Sequence, residues 1–89
     1  MTPQRLIRFA SVQETTGLSR STIYVRIAEG MFPPAIPIGP RSVAWRESEI
    51  AALNAARIRC ASDDDIRALV TELVAGRHSV VSRTEEESK

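Results

Sequence analysis

The triplet Gly17-Leu18-Ser19 constrains this chain more than any other feature. Ahead of it, Ser11 to Thr16 reads as a short helix, with Ser11 as its cap and Glu14 completing a capping box. Gly17 is a natural stop, because glycine enters the left-handed region without strain. Ser19 then caps a second helix from about Arg20 to Glu29, which Gly30 closes. A stop glycine, one apolar plug and a cap leave room only for a sharp turn between two helices. That is the pattern of a helix-turn-helix.

The next segment is not helical. Met31 to Ile38 contains Pro33, Pro34 and Pro37, so the second helix cannot continue. Ile36-Pro37-Ile38 and Ser42-Val43-Ala44-Trp45 alternate with the strand period, and Gly39-Pro40-Arg41 reads as the turn between them. Pro37 confines its strand to an edge. A hairpin placed after a helix-turn-helix has the form of a wing. Upstream, Arg5 to Phe9 reads as a short extended lead-in, with Leu6 and Phe9 offered to the core.

A third helix is expected from Glu47 to Arg59, with Glu47 and Glu49 at its positive end and Arg57 and Arg59 at its negative end. Ser62 caps a fourth. Its apolar residues Ile66, Leu69, Val70, Leu73 and Val74 form an unbroken stripe, and Gly76 reads as its stop. This predicts three segments: a DNA-binding head over residues 1–60, a helix over 61–77 and a disordered tail over 78–89. The fold class expected is mainly α with a small β-hairpin, a winged helix-turn-helix head plus a C-terminal amphipathic helix.

Composition narrows the function. No run of apolar residues is long enough to span a membrane, and the start of the chain lacks the apolar stretch of a secretory signal. A single cysteine, Cys60, fits a reducing compartment, so a cytoplasmic, nucleoid-associated protein is expected. The net charge of +1 is uninformative, but its distribution is not. Residues 1–60 carry eight arginines against four glutamates, net +4, and residues 61–89 carry seven acids against four bases, net −3. Arginine suits forked contacts to phosphate and guanine, although a compositional bias toward arginine accounts equally well for its excess over lysine.

No catalytic set can be assembled around His78 and Cys60, each present once, and no metal or cofactor is expected. The chain reads as a non-enzyme. Asp63-Asp64-Asp65 suits a helix N-terminus better than a metal, because consecutive helical residues point apart. Gly39-Pro40-Arg41 is not a phosphate loop.

On a helical wheel, Ile23 and Ile27 of the second helix face inward. Ser21, Thr22 and Val25 face outward, Tyr24 and Arg26 flank them, and Arg20 projects from the N-terminal end. Arg20 suits a guanine edge, Ser21 and Thr22 suit either donor or acceptor, and Val25 suits a thymine methyl. Arg26 and Tyr24 suit phosphates. Each also has a plainer use: capping for Ser21 and Thr22, a core edge for Tyr24, a surface pair with Glu29 or Glu14 for Arg26. Arg41 at the hairpin tip cannot be core and suits phosphate or the minor groove. Trp45 suits packing, and Arg46 suits either the DNA backbone or a solvated helix start.

Several segments together resemble a known family. Leu6-Ile7-Arg8, Thr16 to Tyr24, Glu29 to Pro33 and Ile38 to Trp45 resemble, in that order, the AlpA family of prophage-associated transcriptional regulators, which are related to excisionases and to MerR-type winged helices. The resemblance spans about residues 5–58. It implies binding of specific double-stranded DNA sites by the second helix and the wing, in phage or integrated-element control regions. Arg20, Ser21, Thr22, Tyr24, Arg26 and Arg41 are the positions that carry over. Val25 departs, standing where such proteins often have a basic residue, and the helix after Ser62 lies beyond the resemblance.

The function expected is sequence-specific DNA binding as a transcriptional regulator. The alternatives are an excisionase-like architectural factor assisting a recombinase or other phage protein, and a protein-interaction module using the last helix. For that helix, pairing with a second chain to form a homodimer through Ile66, Leu69, Val70, Leu73 and Val74 is expected over packing onto the head.

Overall fold

The computed structural model describes residues 5–87, with side chains through Arg77. The elements run β1 (Leu6–Arg8), α1 (Phe9–Thr16), α2 (Arg20–Ala28), β2 (Ile36–Gly39), β3 (Ser42–Arg46), α3 (Glu47–Ile58) and α4 (Asp63–Glu87). This is the mainly α fold with a small hairpin that the sequence suggested, with a third strand added.

That third strand is the first difference. β1 pairs antiparallel with β3 through Leu6↔Arg46, Ile7↔Trp45 and Arg8↔Ala44, giving the order β1-β3-β2. Pairing sends Ile7 inward beside Trp45, because opposed residues of an antiparallel pair share a face. Leu6 is 48% exposed, so Ile7 takes the core place expected for Leu6. β2 occupies an edge, as Pro37 requires. Its register slips between Pro37 and Gly39, leaving Ile38 as the extra residue of a bulge.

α1 begins three residues earlier than the capping box implied. Arg8 stands at its N-cap position without a side-chain cap, and Ser11 lies inside the first turn. Phe9 explains the early start: its ring is buried against Trp45 at 5.3 Å in an edge-on contact, so the chain turns inward directly from β1. The C-terminal end is as expected. Gly17 has φ 74° and donates its N–H to the Gln13 carbonyl.

One core joins every element except the edge strand β2. Trp45 lies at its centre, fully buried, with Phe9 and Phe32 against its ring and its indole N–H donated to the Pro33 carbonyl at 2.8 Å. α3 contributes Ile50, Leu53 and Ala56, and α4 contributes Ile66 and Val70.

The last helix therefore packs on the head. Ile66 and Val70, expected in a seam with a second chain, are interior; only Leu69, Leu73 and Val74 of the stripe keep partial exposure. The boundary expected at residue 60 does not separate two cores, since α4 completes the same cluster. Nor does the helix stop at Gly76, which does not adopt a positive φ. Arg77 makes the continuation useful: its guanidinium forms a forked pair with Glu49, Nη2 to Oε1 at 2.6 Å and Nε to Oε2 at 2.7 Å. His78, expected beyond the last helix, falls within the span of α4. Of the tail expected to be disordered over residues 78–89, the stretch 78–87 instead continues the backbone of α4, and residues 88–89 lie outside the described residues.

Candidate nucleic-acid interface

The three-residue turn sets α2 apart from α1. Ser19 caps α2, its hydroxyl oxygen accepting the Thr22 N–H at 3.3 Å and donating to the Thr22 hydroxyl at 2.9 Å. Leu18 is half-buried against the core as the plug of the turn. Ile23 is fully buried and Ile27 packs against the same cluster, so the helix is anchored by one stripe.

Its opposite face is open. Arg20, Ser21, Tyr24 (49% exposed), Val25 (55% exposed) and Ala28 line it. Tyr24 thus belongs to the outward face and not to a flank, although its ring leans on Phe9 at 5.6 Å. Thr22 is half-buried and its hydroxyl is engaged by Ser19, which leaves it a capping residue more than a reader. Ala28 was missed in the sequence, yet its position four residues after Tyr24 was signal enough.

Arg20 is more ordered than an exposed arginine need be. Its guanidinium carbon sits 4.3 Å from the centroid of the Phe9 ring, a cation–π stack. Stacking uses the face of the guanidinium and leaves its edge N–H groups in plane and available.

The arginines divide by partner. Arg5 pairs with Glu47, Arg46 and Arg77 with Glu49, and Arg67 with Asp64. Among the described residues, Arg20 and Arg26 on α2 and Arg41 at the hairpin tip form no ion pair. Arg8 on β1 and Arg57 and Arg59 at the end of α3 are likewise without one. Arg26 does not take Glu29 or Glu14, and it is half-buried on the side of the helix. Arg41 is exposed in the two-residue connection between β2 and β3.

Arg46 is the exception among the expected contacts. Its side chain is only 17% exposed and points at the buried Glu49 carboxylate, 3.4 Å away. A guanidinium committed to an interior carboxylate is not available to a phosphate, so Arg46 leaves the contact set. Glu49 itself, read in the sequence as a helix-dipole residue, has no exposed side-chain surface and gathers both arginines. Nothing in the local sequence links it to Arg77. The acidic run in the first turn of α4 behaves as a helix start: Ser62 accepts the Asp65 N–H, and Asp64 faces Arg67.

No helix among the described residues is long and apolar enough to cross a membrane. Residues 5–58 match the family described as prophage CP4-57 regulatory protein (AlpA). A protein of Enterobacteria phage P4, described as uncharacterized protein ORF88, is 47% identical over 58 residues. That match covers 65% of this chain and 66% of the phage protein, slightly under two thirds of its length. No solved structure matches the chain significantly.

Proposed function

Because the chain belongs to the AlpA family of prophage regulatory proteins, we propose that it binds specific sites in double-stranded DNA and regulates transcription from a phage or integrated-element control region. The exposed face of α2 enters the major groove, N-terminal end first, and the hairpin tip rests on the backbone or in the adjacent minor groove. Arg20, Ser21, Tyr24 and Val25 meet base edges and groove walls, with Arg26 at the side of the helix and Arg41 on the wing.

The observation that carries this reading is the freedom of the arginines on α2 and the hairpin tip. Among the described residues, the arginines that pair with acids, Arg5, Arg46, Arg67 and Arg77, lie outside α2 and the hairpin tip, and no acid engages Arg20, Arg26 or Arg41. A guanidinium without an internal acid breaks no ion pair when it meets a phosphate or a guanine. The capped, outward face of α2 puts such groups where a groove can receive them. Use of the last helix as a docking module is disfavoured, because Ile66 and Val70 are committed to the core.

Selection of sites from random duplexes by the full chain, followed by footprinting, tests the proposal. A discrete enriched motif protected at one operator is the expected result. No enrichment over input contradicts it. Protection spreading across repeated sites with an induced bend assigns the same contacts to an excision factor that assists a recombinase.

A further inference from the structure

α4 grips both ends of the linker that joins α2 to the hairpin. At the near end, Arg67 donates its Nε–H to the carbonyl oxygen of Glu29, the C-cap of α2, at 3.0 Å. At the far end, Arg77 donates from Nη2 to the carbonyl oxygen of Pro34 at 2.9 Å, just ahead of β2. The two arginines stand on one helix, about 15 Å apart along its axis at the usual rise.

The grip at Arg77 is the tighter of the two. Arg77 is held by its forked pair with Glu49, a carboxylate fixed inside the fold by α3. Arg67 is steadied by Asp64 at 3.4 Å, and its stem passes Gly30, where an added Cβ would lie 4.0 Å from it. Between the grips, Trp45 takes the Pro33 carbonyl and the Met31 N–H returns to the Arg26 carbonyl. Two consecutive prolines supply no N–H groups and a restricted backbone. The linker is therefore a stiff strut bolted at each end to the same helix.

We infer that α4, which lies outside the family-matched residues 5–58, fixes the position of the hairpin relative to α2, with Arg67 and Arg77 as positioning residues. This rests on the DNA-binding reading above. Two contact elements on one duplex reinforce each other only when their spacing is set in advance, because the second contact then forms at high effective concentration. Released at either bolt, the helix and the wing still bind, but no longer jointly.

The test is a double-mutant cycle on the full chain, read by fluorescence anisotropy on a duplex selected from a random pool. Wild type, Arg41→Ala, Arg67→Met and the double variant are compared. Arg67 is chosen because its side chain is 47% exposed and methionine keeps its stem, and circular dichroism checks that the fold is intact. Arg67→Gln, carried through the same cycle, keeps a shorter amide donor and stands in should the methionine variant melt early.

Arg41→Ala is expected to weaken binding about tenfold in the wild-type background and less than about threefold once Arg67 is replaced. A merely structural role lowers both arms by one common factor. Equal losses in the two backgrounds therefore overturn the positioning role. Absence of duplex binding by wild type overturns the DNA-binding reading instead.

Discussion

Glu49 and Arg77, 28 residues apart in the chain, meet in a forked ion pair around a carboxylate that has no exposed surface. Arg46 approaches the same carboxylate. The pair joins the start of α3 to the far half of α4, and through the Pro34 carbonyl to the hairpin. Burying a carboxylate is expensive unless it is paired and hydrogen-bonded, and here both of its oxygens are.

Arg77→Met should therefore destabilise the fold by about 3 kcal/mol, because it leaves Glu49 with Arg46 alone. Replacing both Glu49 and Arg77 with apolar residues should cost less than Arg77→Met alone. Urea denaturation of the three variants measures this. A double substitution as costly as the sum of the singles contradicts the pairing.

Trp45→Ala should cost about 3–5 kcal/mol, since it opens a cavity beside Phe9 and Phe32 and leaves the Pro33 carbonyl without its donor. Thermal unfolding with a loss of only about 1 kcal/mol would place Trp45 at the margin of the core.

Gly17→Ala should destabilise by about 1 kcal/mol although nothing lies within 4 Å of the added methyl. The penalty comes from φ 74° alone. Because the turn is short, it should also lower duplex affinity. An unchanged melting temperature contradicts the left-handed cap.

Arg20→Ala should relax discrimination at one base position by about 1–3 kcal/mol and barely alter binding to non-specific duplex. Phe9→Leu should reproduce part of that relaxation by removing the stacking face beneath the guanidinium. Affinities for a set of single-base variants of the selected site decide it. Uniform weakening at every position assigns Arg20 to the phosphates.

Gly17, Ser19 and Pro37 act through their own backbone chemistry, so the turn, the cap and the edge strand were legible in the sequence one residue at a time. The stripe on α4 was equally visible, but a stripe states only that an apolar face exists. Ile66 and Val70 meeting the α3 cluster, and not a second chain, is decided by tertiary packing. β1 is too short to reveal its alternation, and its partner is far down the chain. The partners of Glu49 were hidden for the same reason, and with them the removal of Arg46 from the candidate interface. The outward set on α2 needed only the helical period, so most of it was found.

The dependence of duplex affinity on salt tests the central claim most directly. Between about 50 and 200 mM monovalent salt, affinity for the selected site should fall steeply and linearly on logarithmic axes, as released counterions require. Arg41→Ala should flatten that slope by about one unit. An affinity that does not change with salt, or a slope that Arg41→Ala leaves untouched, contradicts an interface built on α2 and the hairpin tip.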